Sequence, residues 1–360
     1  MFKTEITLSD GRRLIYFDQT PGDDRARLDS RGLEPATNSS QLRFDPLSRR
    51  WVAIAGHRQN RTHMPTQEQC PLCPTTPNNP SEVPASNYEV VVFENRFPSF
   101  DFNSQDSLVN SGDLGPYGLA PGLGTCEVIC FTSQHDSSVS QLSQDRIRLI
   151  VDVWTDRTTV LAQDRRIEQI FCFENKGPEI GVTEPHPHGQ IYGYPFVPPR
   201  VQQMIDSALK FQDTSGRNLF DEIVEYERSS LDRRVSENES WIAFVPFSAK
   251  WPYEVHLYPK VRAGNFSRLT DNQREDLAPI YLDLLKRYDR LFAQPAPYIA
   301  GWYQYTQADH VDIFGMHLEV FTIKRDENKL KFQAGSEASM DVFISDIVPE
   351  DAARKLRELS

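Results

Sequence analysis

Long apolar runs are missing from this chain of 360 residues; none approaches the roughly 18–20 residues that span a bilayer. The opening stretch MFKTEITLSDGRRLIYF has no apolar core of the secretory kind, and a cytoplasmic location is the expectation. An excess of positive charge is missing too. Lys and Arg number 39 against 51 Asp and Glu, for a formal charge of −12, which speaks against nucleic acid as a bulk electrostatic partner. It leaves room for a local basic pocket that takes a small anion. Cysteine is scarce: there are five, an odd number, and their spacing is not that of a disulfide framework. Disorder is excluded by 39% hydrophobic residues. At this length one compact core is near its limit, so one large domain or two coupled ones are expected.

What the chain does have is a repeated order of elements. Up to about Arg50 it reads as a short β segment followed by a polar loop. Prolines then surround a CPLC pair, Cys70 and Cys73, and place it on an irregular loop. Strand-like runs follow at Tyr88–Phe93, Glu127–Phe131, Ile170–Phe173 and Gln190–Tyr194. Between the second and third, Ile147, Ile150, Val151, Trp154 and Leu161 approximate helical spacing from about Gln144 to Arg165, with Ser143 as the N-cap. The second half repeats this order. Strands at Trp241–Pro246 and Glu254–Tyr258 precede a helix opened by a Thr270/Gln273 capping box, and strands near Tyr298–Gln304 and Met316–Thr322 follow. Leu142 follows Glu127 by 15 residues, and Leu269 follows Glu254 by the same 15. These matches read as two copies of one strand–strand–helix–strand unit. Hairpin-joined strands with one helix per unit imply antiparallel sheet, hence an α+β fold divided into 1–196 and 197–360.

The residues that carry chemistry gather in Glu184-Pro-His-Pro-His-Gly-Gln190. Each proline pushes the residue before it out of the α region, so Glu184 and His186 are expected to be extended. His186, His188 and Gln190 then share one face at about 6–7 Å spacing. Both histidines could bind one metal, both could act as acid and base, or one could be a ligand and the other a nucleophile. The CPLC pair is either a metal half-site or a redox pair. A redox pair normally opens a helix, and nothing after Cys73 reads as one, which favours metal. Closed zinc sites take four thiolate or imidazole ligands. Cys70, Cys73, His135 and one of the two histidines complete such a set; the residues alone leave open which one. Cys126, Cys130 and Cys172 lie in apolar stretches and read as core cysteines.

HPHGQ after FENKGPEIGVTEP, with CPLC upstream and ICFTSQH between them, resembles the galactose-1-phosphate uridylyltransferase family of the histidine-triad superfamily. The resemblance extends over most of the chain. It takes in RFDPLSRRWVAIAGHRQNR (43–61), VVVFENRF (90–97), WPYEVHLYPK (251–260) and KFQAGSE with SDIVPEDAARKLRE (331–358). It implies two histidine-triad-like units and a structural zinc on Cys70, Cys73, His135 and His186. It also implies that His188 is the nucleophile taking a uridylyl group from UDP-glucose for galactose-1-phosphate, with Gln190 on a phosphoryl oxygen. Arg58 and Arg61 match phosphate-contacting arginines; Asn95, Asn175, Gly181 and Thr183 match positions around the nucleotide. Lys331, Phe332 and Glu337 match positions near the hexose that in the family come from the partner subunit, so a homodimer with shared sites is implied. Neither nucleic acid nor a membrane is expected as a partner.

The match departs at four places. Positions that hold a second metal in some relatives correspond here to Met204, Tyr303, His317 and Glu319, so no second metal is expected. Arg96 stands where several relatives have an aspartate beside the nucleotide, Ser336 replaces a tyrosine near the hexose, and Glu184 puts a carboxylate close to the histidines. The competing readings are a related nucleotidyltransferase or phosphorylase using a sugar nucleotide such as ADP-glucose, a non-catalytic zinc-stabilised binding protein, and a CxxC redox protein.

Overall fold

The computed structural model describes residues 1–35, 40–60, 65–107 and 114–360. The first half contributes β1 (Phe2–Thr7), β2 (Arg13–Asp18), β3 (Gln41–Asp45), β4 (Arg50–Ile54), β5 (Val90–Glu94), β6 (Gly118–Pro121), β7 (Thr125–Cys130), α1 (Gln144–Leu161), β8 (Gln169–Lys176) and β9 (His188–Tyr194). The second contributes α2 (Pro199–Ser215), α3 (Leu219–Ser229), β10 (Arg234–Glu237), β11 (Trp241–Phe244), β12 (Val255–Pro259), α4 (Asp271–Arg290), β13 (Tyr298–Tyr303) and β14 (His317–Phe321). A small hairpin, β15 (Lys324–Asp326) and β16 (Lys329–Leu330), then leads to α5 (Gly335–Met340) and α6 (Pro349–Glu358).

One antiparallel sheet of 11 strands runs through both halves in the order β1-β2-β5-β7-β9-β8-β13-β14-β12-β11-β10. The inner eight strands make the repeat visible. β5-β7-β9-β8 is mirrored in sequence order by β11-β12-β14-β13, and the two sets meet where β8 pairs with β13 (Glu174 opposite Ala300). The copies are joined edge to edge, and the fold is α+β.

Both long helices pack on one face of this sheet. Alternation in the strands sends Ile129, Ile170, Cys172, Ile191, Leu318 and Val320 toward α1 and α4, into the largest core cluster. Trp154 of α1 sits at the seam, its ring 5.9 Å from that of Trp302 and 6.0 Å from that of Tyr281. The expected caps are in place: the Ser143 hydroxyl accepts from the Arg146 N–H at 3.2 Å, and Thr270 and Gln273 cap each other. α1 ends at Leu161 rather than at Arg165, since Asp164 turns the chain by accepting from the Arg166 backbone and guanidinium. The opposite face is covered in two pieces. α2 and α3 lie over the second half through Val201, Ile205, Phe220 and Val224 against Ile242, Phe244 and Tyr258. A three-stranded sheet, β4-β3-β6, lies near the first half, where Leu42 and Trp51 meet Tyr192 and Tyr194. Between these covers the start of β9 is left accessible.

Candidate active site and metal centre

β9 is a central strand, paired with β7 on one side and β8 on the other. His188, Gln190, Tyr192 and Tyr194 alternate with buried Gly189, Ile191 and Gly193. Gly189 is required where it stands, because a Cβ there would come within 2.7 Å of the Phe173 carbonyl oxygen and 2.8 Å of the Phe131 ring. His188 and Gln190 therefore share the open face, as the alternation predicts. His186 does not join them. It lies in the bend before β9, is 1% exposed, and turns toward the CPLC loop. The expectation of three aligned side chains is corrected here: the ladder to β7 begins only at His188, opposite Cys130.

That turn builds a four-residue cluster. One ligand-type atom each from Cys70, Cys73, His135 and His186 lies within 4.8 Å of the other three. Nδ1 of His135 and Nδ1 of His186 stand 3.4 and 3.5 Å from the Cys73 sulfur. Nε2 of His186 donates to the Thr132 carbonyl at 2.7 Å, and a carbonyl can only accept, so the proton sits on Nε2 and the Nδ1 lone pair faces the sulfurs. Burial pushes the His186 imidazole down to about 4, which keeps it neutral. Burial also pushes the Cys70 thiol up to about 12 and raises Cys73. This is the reverse of a reactive redox pair, whose thiolate is stabilised. Two thiols and two imidazoles facing one point fit a tetrahedral divalent cation, which supplies the charge that the thiolates otherwise lack. Cys126, Cys130 and Cys172 are buried and lie outside the cluster.

His188 has the opposite tautomer. Its Nδ1 is 2.7 Å from the His186 carbonyl oxygen and must donate to it, so in the neutral imidazole the lone pair is on Nε2. The residue lines three cavities, the first of about 350 Å³ with Lys176, Pro178, Thr183 and Pro187 in its wall; the other two also share Gln190. One, of about 210 Å³, has apolar walls from Leu72, Phe93 and Val128, with Asn95, Arg96 and Glu184 as polar members. The other, of about 260 Å³, is polar and is lined by Arg58, Asn175, Gly181, Thr183 and Gln190. Gly181, at φ 83, turns the loop that carries Thr183 back over β8 and β9. The amide oxygens of Asn175 and Gln190 are buried without a partner among the described residues. Such orphaned groups mark a place for a ligand. Arg58 is held by the Ser99 hydroxyl.

Not every expected residue comes to this place. Arg61 lies outside the described residues. Lys331 and Glu337 are buried and paired with each other at 2.9 Å, while Phe332 is 74% exposed, and none of the three lines these cavities. The second half holds its own polar cluster, which the sequence reading did not assemble. Glu254, His256 and Glu319 bring ligand-type atoms within 4.8 Å of one another. Arg200 of α2 donates to both oxygens of Glu319, at 2.9 and 2.6 Å, and lies over the Tyr303 ring. A guanidinium thus already balances the charge there. His317 is 1% exposed, stacked on Tyr258 and Tyr303. Arg200 is 119 residues from Glu319, and no local pattern marks the pairing.

An imidazole between a cavity with apolar walls and a polar, arginine-lined one suits the chemistry of a nucleotidyltransferase. Comparison with known proteins narrows the class. The N-terminal domain of galactose-1-phosphate uridyl transferase matches residues 20–198, and the C-terminal domain of the same family matches 204–360. The chain belongs to the galactose-1-phosphate uridyl transferase family. It is 42% identical to a galactose-1-phosphate uridylyltransferase of Streptomyces lividans over 371 residues, covering 100% of this chain and 98% of that one. A protein of the same description from Thermotoga maritima is 36% identical, over 88% of this chain and 98% of its own. Among solved structures, a uridylyltransferase superposes with a TM-score of 0.78 at 31% identity, covering 89% of this chain and 98% of that one. An ADP-glucose phosphorylase of Arabidopsis thaliana, with a TM-score of 0.66 at 23% identity over 89% of this chain and 99% of its own, shares the fold.

Proposed function

We propose that the protein moves a uridylyl group from UDP-glucose to galactose-1-phosphate by two displacements at His188. The observation that carries this reading is the Nδ1–H of His188 held on the His186 carbonyl, in a residue that lines both the apolar-walled and the polar cavity. In the first step the Nε2 lone pair attacks the α-phosphorus. An N–P bond forms, the P–O bond to glucose-1-phosphate breaks, and the electron pair leaves on the sugar phosphate. In the second, a phosphate oxygen of galactose-1-phosphate attacks phosphorus, the N–P bond breaks, and the imidazole is restored. Each product leaves before the next substrate enters, which is ping-pong order.

The chain's own groups fill the other roles. Leu72, Phe93 and Val128 take the nucleoside, with Asn95 at its polar edge. Gln190 hydrogen-bonds the phosphoryl oxygen that gains charge in the transition state. Arg58, Asn175, Gly181 and Thr183 receive the phosphates, where a guanidinium fork suits two oxygens. Zinc on Cys70, Cys73, His135 and His186 fixes the loop and the start of β9 when bound, one ion per subunit. Lys331, Phe332 and Glu337 serve the hexose site of the other subunit in a homodimer. The functional division falls between 196 and 197, with the catalytic unit first, and the enzyme works in the cytoplasm. Among the described residues no helix is long and apolar enough to cross a membrane.

The test is incubation of the protein with UDP-glucose labelled in its uridine, without acceptor. Acid-labile, alkali-stable label on His188 is expected, released by galactose-1-phosphate and absent from His188→Ala. Label that forms only from ADP-glucose would replace the uridine reading. No label from either donor would remove the covalent mechanism.

A further inference from the structure

Tyr88 lies just before β5, is 2% exposed, and has its hydroxyl against the CPLC loop and His186. Besides the Cys130 thiol, which also bonds to it, two partners meet that oxygen. The Leu72 carbonyl, inside the CPLC loop, is 2.8 Å away, and His186 Nε2 is also 2.8 Å away. Donor and acceptor roles are settled by chemistry. A carbonyl only accepts, so the Tyr88 proton goes to Leu72, and a Tyr88 lone pair shares the His186 Nε2–H with the Thr132 carbonyl.

Each of those partners leads to a different part of the site. Leu72 sits between Cys70 and Cys73 and supplies a wall of the apolar cavity. His186 faces Cys73 through Nδ1 and holds the His188 Nδ1–H on its carbonyl. We infer that Tyr88 is a positioning residue, whose hydroxyl ties the metal-binding loop, the nucleoside wall and the nucleophile's support into one unit. This rests on the zinc and uridylyl-transfer reading above. Polar groups that hold metal ligands in place commonly change metal affinity or activity by about 10–100-fold when removed. Without the hydroxyl, Thr132 still keeps the His186 proton on Nε2, so the ligand tautomer survives. Leu72 loses its donor, a buried carbonyl goes unmet, and the loop is released. The effect is therefore expected on metal retention and nucleotide binding rather than on the chemical step.

The experiment compares metal-loaded wild-type protein with Tyr88→Phe, which removes one oxygen and keeps the ring. A colorimetric chelator in excess reads the rate of metal release. The expected result is release about tenfold faster or more, a severalfold higher KM for UDP-glucose, and a kcat near wild type. Tyr88→Leu, which removes ring and hydroxyl together, is expected to release at least as fast. Ile150→Ala, a core change in α1, is the control for general destabilisation and is expected to leave the release rate unchanged. Release from Tyr88→Phe at the wild-type rate overturns the inference, as does equal acceleration in Ile150→Ala. Wild-type protein that binds no metal overturns the zinc reading itself, and is seen before any variant is compared.

Discussion

Glu174 offers the sharpest test of the electrostatics around the site. It lies on β8 next to Asn175, with its side chain on the helix-packed face. Its Oε1 accepts from the Tyr298 hydroxyl at 2.9 Å, while Oε2 is buried with no hydrogen-bond partner among the described residues. Burial pushes this carboxyl from its ordinary 4.5 up to about 7, against the opposing effects of the Tyr298 hydrogen bond and Lys176. The sign follows from proton counting. Between pH 4.5 and 7 the folded protein holds a proton that the unfolded chain has lost, so stability falls as pH rises through that window. At about 1.4 kcal/mol per pH unit the total loss is about 3 kcal/mol. Glu174→Gln keeps an acceptor for Tyr298 and cannot ionise. Urea unfolding of both proteins at several pH values from 5 to 8 should give a stability difference that grows in favour of the variant by about 3 kcal/mol. Parallel profiles would refute the reasoning and place an ionised Glu174 in the fold.

Three further expectations follow from charges elsewhere in the molecule. Arg157 of α1 makes a bidentate pair with Glu127 of β7, at 2.9 and 2.6 Å, with both side chains 1–2% exposed; Arg157→Met should cost about 3–5 kcal/mol in urea unfolding, and adding Glu127→Gln should recover much of it. Burial would raise the Glu319 carboxyl, but the His256 charge, the His317 hydrogen bond and Arg200 outweigh it and hold it down at about 2. Its stabilisation is present above pH 4.5 and lost as pH falls toward 2, so Glu319→Gln should be less stable than wild type at neutral pH and approach it in acid unfolding. Metal analysis of the purified protein should give one zinc per subunit; two would overturn the view that Arg200 is the resident cation beside Glu319.

Local signals made part of this legible in the sequence. Ser143 and the Thr270/Gln273 box announced the two long helices because a cap is settled within four residues. The duplicated order of strands was readable because alternation and turn residues recur at matching distances. Three members of the Cys/His cluster were readable because thiols and imidazoles are rare and lie at strand ends or loops, whereas the choice of His186 over His188 came only from the family resemblance. α2 was missed although Pro199 at its start, Val201, Ile205 and Ala208 along it and Gly216 after it, at φ 71, carry a helix signature. Tyr88 and His186 are 98 residues apart, and Glu174 and Tyr298 are 124 apart. No periodicity encodes such pairs, because they are created only when the sheet is assembled.

The seam between β8 and β13 has a consequence for how the chain can be divided. β8 pairs with the other copy over five positions, from Cys172 opposite Trp302 to Lys176 opposite Tyr298. A chain cut between β9 and α2 would leave each piece with a bare strand edge of five paired positions, which include Phe173 on one piece and Trp302 on the other. Such edges seek a partner strand. The two fragments, produced together, should find one another and rebuild the sheet, whereas either produced alone should associate with itself. Two halves with the same strand order thus each offer the edge on which the other completes its sheet.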